Sequence, residues 1–140
     1  MPDPSRRCPA RELLAALTGQ QVPWAIATSG RMETAAGTIA MLGVDPAKVP
    51  VVTRDQVRYA KPDPDLFVTA AKRLGVDIHH SMVVGDSVWD LLAARRACAL
   101  GLLSGGYGEE ELVRAGAYRV YQDPADLLQH LDEVGIRQPA

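Results

Sequence analysis

The chain has 140 residues, of which 47% are hydrophobic and 23% charged, and its formal net charge is -2. This composition is typical of one globular domain and excludes the concentrated basic surface of a nucleic-acid-binding protein. No apolar run reaches the ~20 residues that span a bilayer and the first residues lack a signal-peptide core, so we expect no membrane segment and a cytoplasmic location.

Short apolar runs alternate with amphipathic stretches along the whole chain. In chain order, the predicted elements are helix 10–18, strand and turn 22–30, helix 31–42, strand 49–53, helix 64–74, strand 81–87, helix 88–99, strand 100–106, helix 109–115, strand 118–123 and helix 124–134. Asp63 is the predicted N-cap of the third helix, and Gly75 is predicted to end it. This alternation is typical of an α/β fold.

The predicted strands are apolar without polar alternation, which is typical of a parallel sheet with helices on both faces. Ligands of such sheets bind beyond the carboxyl ends of the strands. Four segments lie at these ends, namely residues 28–30, the loop around Lys61, residues 85–86 and the glycine-rich residues 104–108. We interpret the last segment as turn chemistry and the first three as a candidate site.

Two carboxylates, Asp86 and Asp90, follow the third predicted strand at a spacing of one helical turn. Like charges at this spacing repel each other by about a few tenths of a kcal/mol. A divalent cation between the two carboxylates would turn this repulsion into a net attraction. Magnesium suits such a site, because it binds one or two carboxylates together with waters and substrate phosphate. The alternative is that Asp86 or Ser87 caps the helix and Asp90 interacts with the helix dipole. This stretch alone leaves both interpretations open.

Two further strand ends carry groups that suit an anion. Thr28, Ser29 and Gly30 place hydroxyls and backbone amides at the start of a helix, where an anion can bind, although an ordinary capped helix start is the alternative. Lys61 precedes a proline, which favours an extended backbone from which the amine can reach a phosphoryl oxygen. A solvated surface lysine is the alternative here. In combination with the acidic pair, these residues indicate one crevice with anion donors, a cation and metal ligands.

In these three segments the chain resembles the haloacid dehalogenase superfamily, most closely its phosphatase-like members. AIATSG is similar to the family's second motif, KPDPDLF to the third and VVGDSVWD to the fourth. The resemblance implies a Rossmann-like, three-layer parallel sheet, a Mg²⁺ cofactor and phosphoryl transfer through an aspartyl-phosphate intermediate. It covers residues 9–140 as a single core domain and leaves residues 1–8 as an N-terminal extension.

The resemblance also implies roles for individual residues. Thr28 and Lys61 are the catalytic candidates, because they match the hydroxyl that contacts phosphate and the lysine that stabilises the nucleophile and the phosphoryl charge. Asp86 matches the principal metal ligand and Asp90 the supporting acid. The substrate-binding candidates are Thr28, Ser29, Gly30 and Lys61.

The family's first motif is an apolar strand ending in Asp-x-Asp, which supplies the nucleophile, and it has no counterpart in this sequence. Asp3 follows no apolar strand and has no second acid two positions later. In the family that strand lies between the strands that end here at Thr28 and Gly85, so we predict a sheet that is incomplete at its central strand. Two unpaired inner edges would allow self-association. The family's usual cap, which carries substrate choice, would lie upstream as well.

The residues and the resemblance together predict a phosphatase of small phosphorylated metabolites. We expect this chain to be the C-terminal portion of that enzyme and to be inactive alone. The alternative from another class is a non-catalytic domain that binds phosphate or a partner through the same crevice. A receiver-like signalling domain is disfavoured, because its acidic cluster and its lysine would come in the opposite order.

Overall fold

The computed structural model describes residues 9–59 and 61–136, in which helices and strands alternate. The helices are α1 (Pro9–Gly19), α2 (Met32–Met41), α3 (Asp65–Leu74), α4 (Val88–Ala93), α5 (Glu109–Arg114) and α6 (Pro124–Gln129). The strands are β1 (Ile26–Ala27), β2 (Val51–Val52), β3 (Met82–Gly85), β4 (Cys98–Leu102) and β5 (Arg119–Tyr121). None of these helices has the length and apolarity needed to cross a membrane. The predicted extension 1–8 lies outside the described residues, and the division into extension and core domain stays a prediction.

Every strand pairing is parallel, which confirms the predicted α/β class. β1 pairs with β2, and β4 pairs with β3 on one side and with β5 on the other. In this ladder Leu100 lies opposite both Val84 and Arg119. Within 9–59 and 61–136 no pairing joins β1 to β3, so the sheet has a two-stranded and a three-stranded section. The sheet is incomplete between these sections, as predicted.

β4 is buried over most of its length, and its successive side chains point to opposite faces of the sheet. Leu100 packs with Leu13 of α1 and Leu127 of α6. Ala99 packs on the other face with Leu112 of α5 and with residues of α4. Helices therefore cover both faces of the three-stranded section, which gives the predicted three-layer arrangement.

The two-stranded section shows the same alternation. Val51 packs with Ile39 of α2, and Val52 packs with Leu66 of α3. α3 ends as predicted at Gly75, whose φ of 73° is the left-handed conformation typical of a helix-terminating glycine. α2 and α3 therefore lie on opposite faces of β1 and β2.

The boundary between α4 and β4 differs from the predicted one. The sequence predicts a helix up to residue 99, whereas α4 ends at Ala93 and β4 begins at Cys98. The Cys98 amide donates to the Ser81 carbonyl at 2.9 Å, and Cys98 and Ala99 pair with β3. A continuous apolar run has no period that would distinguish the end of a helix from the start of a buried strand.

Two predictions about the first half of the chain also need correction. The N-cap of α3 is Pro64 rather than Asp63, and it makes no side-chain capping bond. β1 and β2 are shorter than the predicted strand-and-turn segment 22–30 and the predicted strand 49–53, because only two residue pairs form their ladder. An apolar run marks a buried extended segment, but the ladder extends only as far as a partner strand follows it.

The predicted terminal helix 124–134 is interrupted at His130. The His130 Nδ1 atom donates to the Asp126 carbonyl at 2.7 Å, and the His130 amide donates instead to the Leu127 carbonyl at 2.9 Å. The side chain thus takes the acceptor that the backbone amide would use in a continuous helix. A separate 3-10 turn, Leu131–Val134, follows and ends at Gly135.

Leu100→Ala should lower the free energy of unfolding by about 2–5 kcal/mol, because Leu100 is only 1% exposed in β4, the middle strand of the three-stranded section. Val113→Ala, at a position on α5 that is 52% exposed, is the control and should change it by less than about 0.5 kcal/mol. Urea denaturation followed by circular dichroism measures both. Equal losses in the two variants would contradict the central position of β4.

Candidate functional site

The carboxyl ends of β1 and β3 border one crevice with a volume of about 850 Å³. The predicted site residues in its lining are Thr28, Ser29, Lys61, Asp86 and Asp90. Gly30 does not line the crevice. Three segments that are far apart in the sequence therefore converge at one edge of the sheet, while the chemical roles of their residues stay predictions.

Thr28 follows β1, where its amide donates to the Val52 carbonyl at 2.9 Å. The Thr28 hydroxyl accepts the Gly30 amide at 3.1 Å and so closes a tight turn. A hydroxyl that accepts one hydrogen bond keeps its own hydrogen, so Thr28 can still donate to an oxyanion in the crevice. Gly30 shapes this turn and does not contribute to the crevice surface.

The first amide of α2 faces a carboxylate of the same chain. The Thr53 hydroxyl donates to Asp55 and lowers the pKa of that carboxyl, with smaller contributions from the backbone amides of Asp55 and Met32 and from the Arg31 charge. Met32 is the first residue of α2. The helix start that the sequence predicts to be an anion site therefore already interacts with Asp55.

Lys61 lies in the loop before α3 and forms an ion pair with Asp90 in the first turn of α4. The Lys61 Nζ atom donates to Asp90 Oδ1 at 2.5 Å, and the two side chains are 12% and 13% exposed. The amine also lies 5.2 Å from the centre of the Phe67 ring. The Lys61–Pro62 peptide bond is cis. Lys61 is thus a mostly buried and fixed amine, which excludes the solvated lysine of the alternative interpretation.

Ser87 is the N-cap of α4. Its hydroxyl accepts the Asp90 amide at 3.2 Å and donates to Asp90 Oδ2 at 3.0 Å. Both carboxylate oxygens of Asp90 therefore have partners within the protein. Asp86 is exposed, and its carboxylate has no hydrogen bond or ion pair with the rest of the described chain. Because Ser87 caps the helix, the Asp86 carboxylate is available to a ligand.

Two glycines allow the backbone to approach these carboxylates closely. A Cβ atom on Gly85 would lie 2.4 Å from the Asp90 Cβ atom. A Cβ atom on Gly105 would lie 2.2 Å from the Asp86 carbonyl oxygen. Both distances are far below van der Waals contact, so a side chain at either position would displace the backbone that holds the acidic pair.

Three residues of the crevice region were not predicted from the sequence. Ser104 lines the crevice and Gly105 packs on Asp86, although residues 104–108 are predicted only as a turn. Trp89 also lines the crevice and is 53% exposed. The strand-end rule directs attention to residues 104–108, whereas nothing in the sequence distinguishes Trp89 from a core aromatic residue.

The donor set of the crevice limits which metal ion it can hold. Its carboxylates are Asp86 and Asp90, and the described residues contain no cluster of three or more histidine, cysteine or acidic side chains. Zinc sites usually need three or four such ligands. A hard cation that binds one or two carboxylates and completes its shell with water and substrate oxygens fits this set.

The fold is a parallel sheet covered by helices on both faces, with hydroxyl, amine and carboxylate groups at its strand ends. These features are typical of a hydrolase that acts on phosphorylated compounds. The sequence profile of the haloacid dehalogenase-like hydrolase family matches residues 8–97. The chain belongs to this family, which confirms the resemblance seen in its three motifs.

Three relatives cover nearly the whole chain. A hydrolase structure from Pseudomonas syringae is 54% identical to this chain and has a TM-score of 0.87. The match includes 91% of this chain and 62% of the Pseudomonas syringae chain. A haloacid dehalogenase family hydrolase from Deinococcus radiodurans, solved with bound phosphate and sodium, is 30% identical to this chain and has a TM-score of 0.81. The match includes 94% of this chain and 61% of the Deinococcus radiodurans chain. The phosphoglycolate phosphatase of Rhodospirillum rubrum is 30% identical and covers 93% of this chain and 53% of the relative. The chain spans about half the length of the curated relatives that it matches.

Gly85→Ala should lower the free energy of unfolding by about 1–3 kcal/mol, because the added methyl group collides with Asp90. Gly37→Ala on α2 is the control, since an added Cβ there has no neighbour within 4 Å, and it should be neutral or stabilising. Chemical denaturation compares the two variants. Equal stability would argue against close packing between the end of β3 and α4.

Proposed function

We propose that this chain forms the crevice-bearing portion of a magnesium-dependent phosphatase of small phosphorylated metabolites. The observation that carries the proposal is the convergence of Thr28, Lys61 and Asp86 on one crevice. A transferring phosphoryl group needs hydrogen-bond donors, positive charge and a metal ion in one place, and these residue types can supply them. Two relatives add support, the phosphoglycolate phosphatase and the hydrolase solved with bound phosphate.

Each side chain has a distinct task in this proposal. Thr28 donates its hydroxyl hydrogen to a phosphoryl oxygen, and Ser29, which is exposed beside it, offers a second donor. Lys61 supplies positive charge to the same group. Asp90 holds the Lys61 amine in place through their ion pair, so it acts as a positioning residue.

The Asp86 carboxylate would hold the magnesium ion, with water and substrate oxygens completing its shell. Magnesium supplies charge that stabilises the phosphoryl oxygens during transfer. Asp90 remains the candidate supporting acid. Its oxygens already accept hydrogen bonds from Lys61 and Ser87, so Asp86 is the better candidate for direct contact with the ion.

The nucleophile of the complete enzyme would come from outside the described residues. Among 9–59 and 61–136 the carboxylates that line the crevice are Asp86 and Asp90, and both have other tasks in the proposal. The aspartyl-phosphate route implied by the family therefore needs another aspartate. This observation favours one second candidate, a non-catalytic domain that binds phosphate or a partner in the crevice.

The gene sequence upstream of Met1 separates the two candidates. An in-frame apolar run that ends in Asp-x-Asp would support the phosphatase. An in-frame stop codon directly upstream, next to a good ribosome-binding site, would support the binding domain.

The isolated chain should bind magnesium weakly, and Asp86→Asn should abolish this binding because an amide lacks the charge that a hard cation prefers. Asp132→Asn changes an exposed acid outside the crevice lining and is the matched control, which should bind as the unaltered chain does. Isothermal titration calorimetry compares the three proteins. Equal binding with and without the Asp86 carboxylate would refute its role as a metal ligand.

The 140-residue chain alone should not hydrolyse p-nitrophenyl phosphate in the presence of magnesium, because the described residues add no carboxylate to the crevice lining beyond Asp86 and Asp90. The release of p-nitrophenolate measures turnover. Robust turnover that disappears in Asp86→Asn and persists in Asp132→Asn would place the nucleophile within this chain and overturn this account.

A further inference from the structure

The first turn of α4 carries one large apolar side chain that does not enter the core. The other apolar residues of this helix belong to one core cluster or pack against it, namely Val88, Leu91, Leu92 and Ala93. Trp89 is 53% exposed and lines the crevice. The helix thus directs its aliphatic side chains into the core and its tryptophan toward the candidate site.

The Trp89 ring has no polar or aromatic partner in the part of the chain that the structure describes. The chain contains two tryptophans, and the Trp24 Nε1 atom donates to the Thr18 hydroxyl at 2.9 Å. Trp89, in contrast, makes no hydrogen bond, ring contact or cation–π contact with the described residues. It therefore offers the crevice a flat apolar face that a ligand can cover.

The exposure of Trp89 is separate from the gap in the sheet. The exposed side chains of Met82 and Val84 line an apolar cleft between the two sections. Trp89 does not line this cleft and lies instead in the crevice with Lys61 and Asp86. A single exposed aromatic residue on a convex surface needs no explanation, but an aromatic side chain beside a few polar groups in a concave site is typical of ligand recognition.

The charges of the crevice limit the kind of organic group that it can accept. Among the described residues that line it, Lys61 is the one cationic side chain. Lys61 already pairs with Asp90, and in the proposed function it also serves the phosphoryl group. A second anionic group on a substrate would therefore find no further cation in this lining, and the partly negative face of the indole would repel it.

We propose that Trp89 is a specificity-determining residue, which selects phosphate monoesters whose organic group is neutral and carries a flat ring. The phosphoryl group would lie at Thr28 and Lys61, and the ring would stack on the exposed indole face. Stacked aromatic pairs stabilise a complex beyond the effect of the area that they bury. This inference rests on the proposed function for the position of the phosphoryl group, and it adds the chemical class of the group that the phosphate esterifies.

A protein partner fits Trp89 less well than a small ligand does. A stable protein interface buries about 800 Å² on each partner, whereas one tryptophan buries about 150–250 Å². The indole also lies inside the crevice rather than on a flat surface. Contact with a second copy of the chain is therefore an alternative outcome of the tests.

The first test compares three ligands of the 140-residue chain in the presence of magnesium, namely inorganic phosphate, phenyl phosphate and phosphoglycolate. Isothermal titration calorimetry measures each dissociation constant. Phenyl phosphate should bind about fivefold to tenfold more tightly than phosphoglycolate, because only its organic group is both neutral and planar. Equal affinities for the two esters, or no saturable binding of phenyl phosphate, would overturn the proposal.

Two variants then test the tryptophan itself. Trp89→Ala should lower the affinity for phenyl phosphate about fivefold or more and leave the affinity for inorganic phosphate unchanged. Trp89→Phe should retain most of the preference for phenyl phosphate, because an aromatic ring remains. The proposal would be wrong if Trp89→Ala left phenyl phosphate binding unchanged, or if it weakened phosphate and phenyl phosphate equally, as a general structural defect would.

Tryptophan fluorescence locates the ring of the ligand. Trp24→Phe leaves Trp89 as the single tryptophan, and Trp89→Phe leaves Trp24, which lies outside the crevice lining. Phenyl phosphate should shift the emission of Trp24→Phe to shorter wavelength, because a stacked ring displaces water from the indole. It should leave the emission of Trp89→Phe unchanged. Equal shifts in the two variants, or no shift in either, would contradict stacking on Trp89.

The outcomes also separate this inference from the proposed function. Equal binding of the two esters, together with magnesium binding that Asp86→Asn abolishes, would refute the role of Trp89 and leave the phosphatase proposal intact. A preference that Trp89→Ala removes, together with magnesium binding that Asp86→Asn leaves unchanged, would do the reverse. A dimer in sedimentation velocity that Trp89→Ala dissociates would overturn the role of Trp89, because a second copy would then cover the indole.

Discussion

The ion pair between Lys61 and Asp90 joins the loop before α3 to the first turn of α4. These segments belong to different sections of the sheet, because α3 packs on β1 and β2 while α4 packs on β3. Both charged groups are largely removed from water, and Ser87 gives Asp90 a second partner. Loss of either charge would leave the other largely buried without an opposite charge, which is more costly than the loss of a surface pair. The form of the crevice therefore depends on a polar contact that spans the gap in the sheet.

The same contact explains how the chain tolerates Asp86 and Asp90 at a spacing of one helical turn. Lys61 balances the Asp90 charge, and the Ser87 hydroxyl caps the helix. Asp86 then remains exposed at the crevice, as the only one of the two acids whose oxygens have no partner among the described residues. The sequence of residues 86–90 leaves helix capping and ligand binding as alternatives. In the structure Ser87 caps the helix, and Asp86 is the residue that is available to a ligand.

Local signals account for what the sequence could predict. Glycines, prolines and apolar runs mark the order of the elements, and the parallel arrangement places Thr28, Lys61 and Asp86 at one edge of the sheet. The start of β4 at Cys98 could not be predicted, because helix end and buried strand share one apolar run. The approach of Gly105 to Asp86 is a contact between separate loops, and no local pattern indicates it. Contacts of this kind are set by how the elements pack.

The gap means that packing rather than a backbone ladder holds the two halves of the crevice together. α1 contacts both sections through Leu13 and Leu14, and α3 does so through Leu66 and Phe67. Among the described residues, side-chain packing therefore keeps the hydroxyls after β1 in register with the free carboxylate after β3. A ligand that contacts both groups would therefore stabilise this arrangement of the two sections.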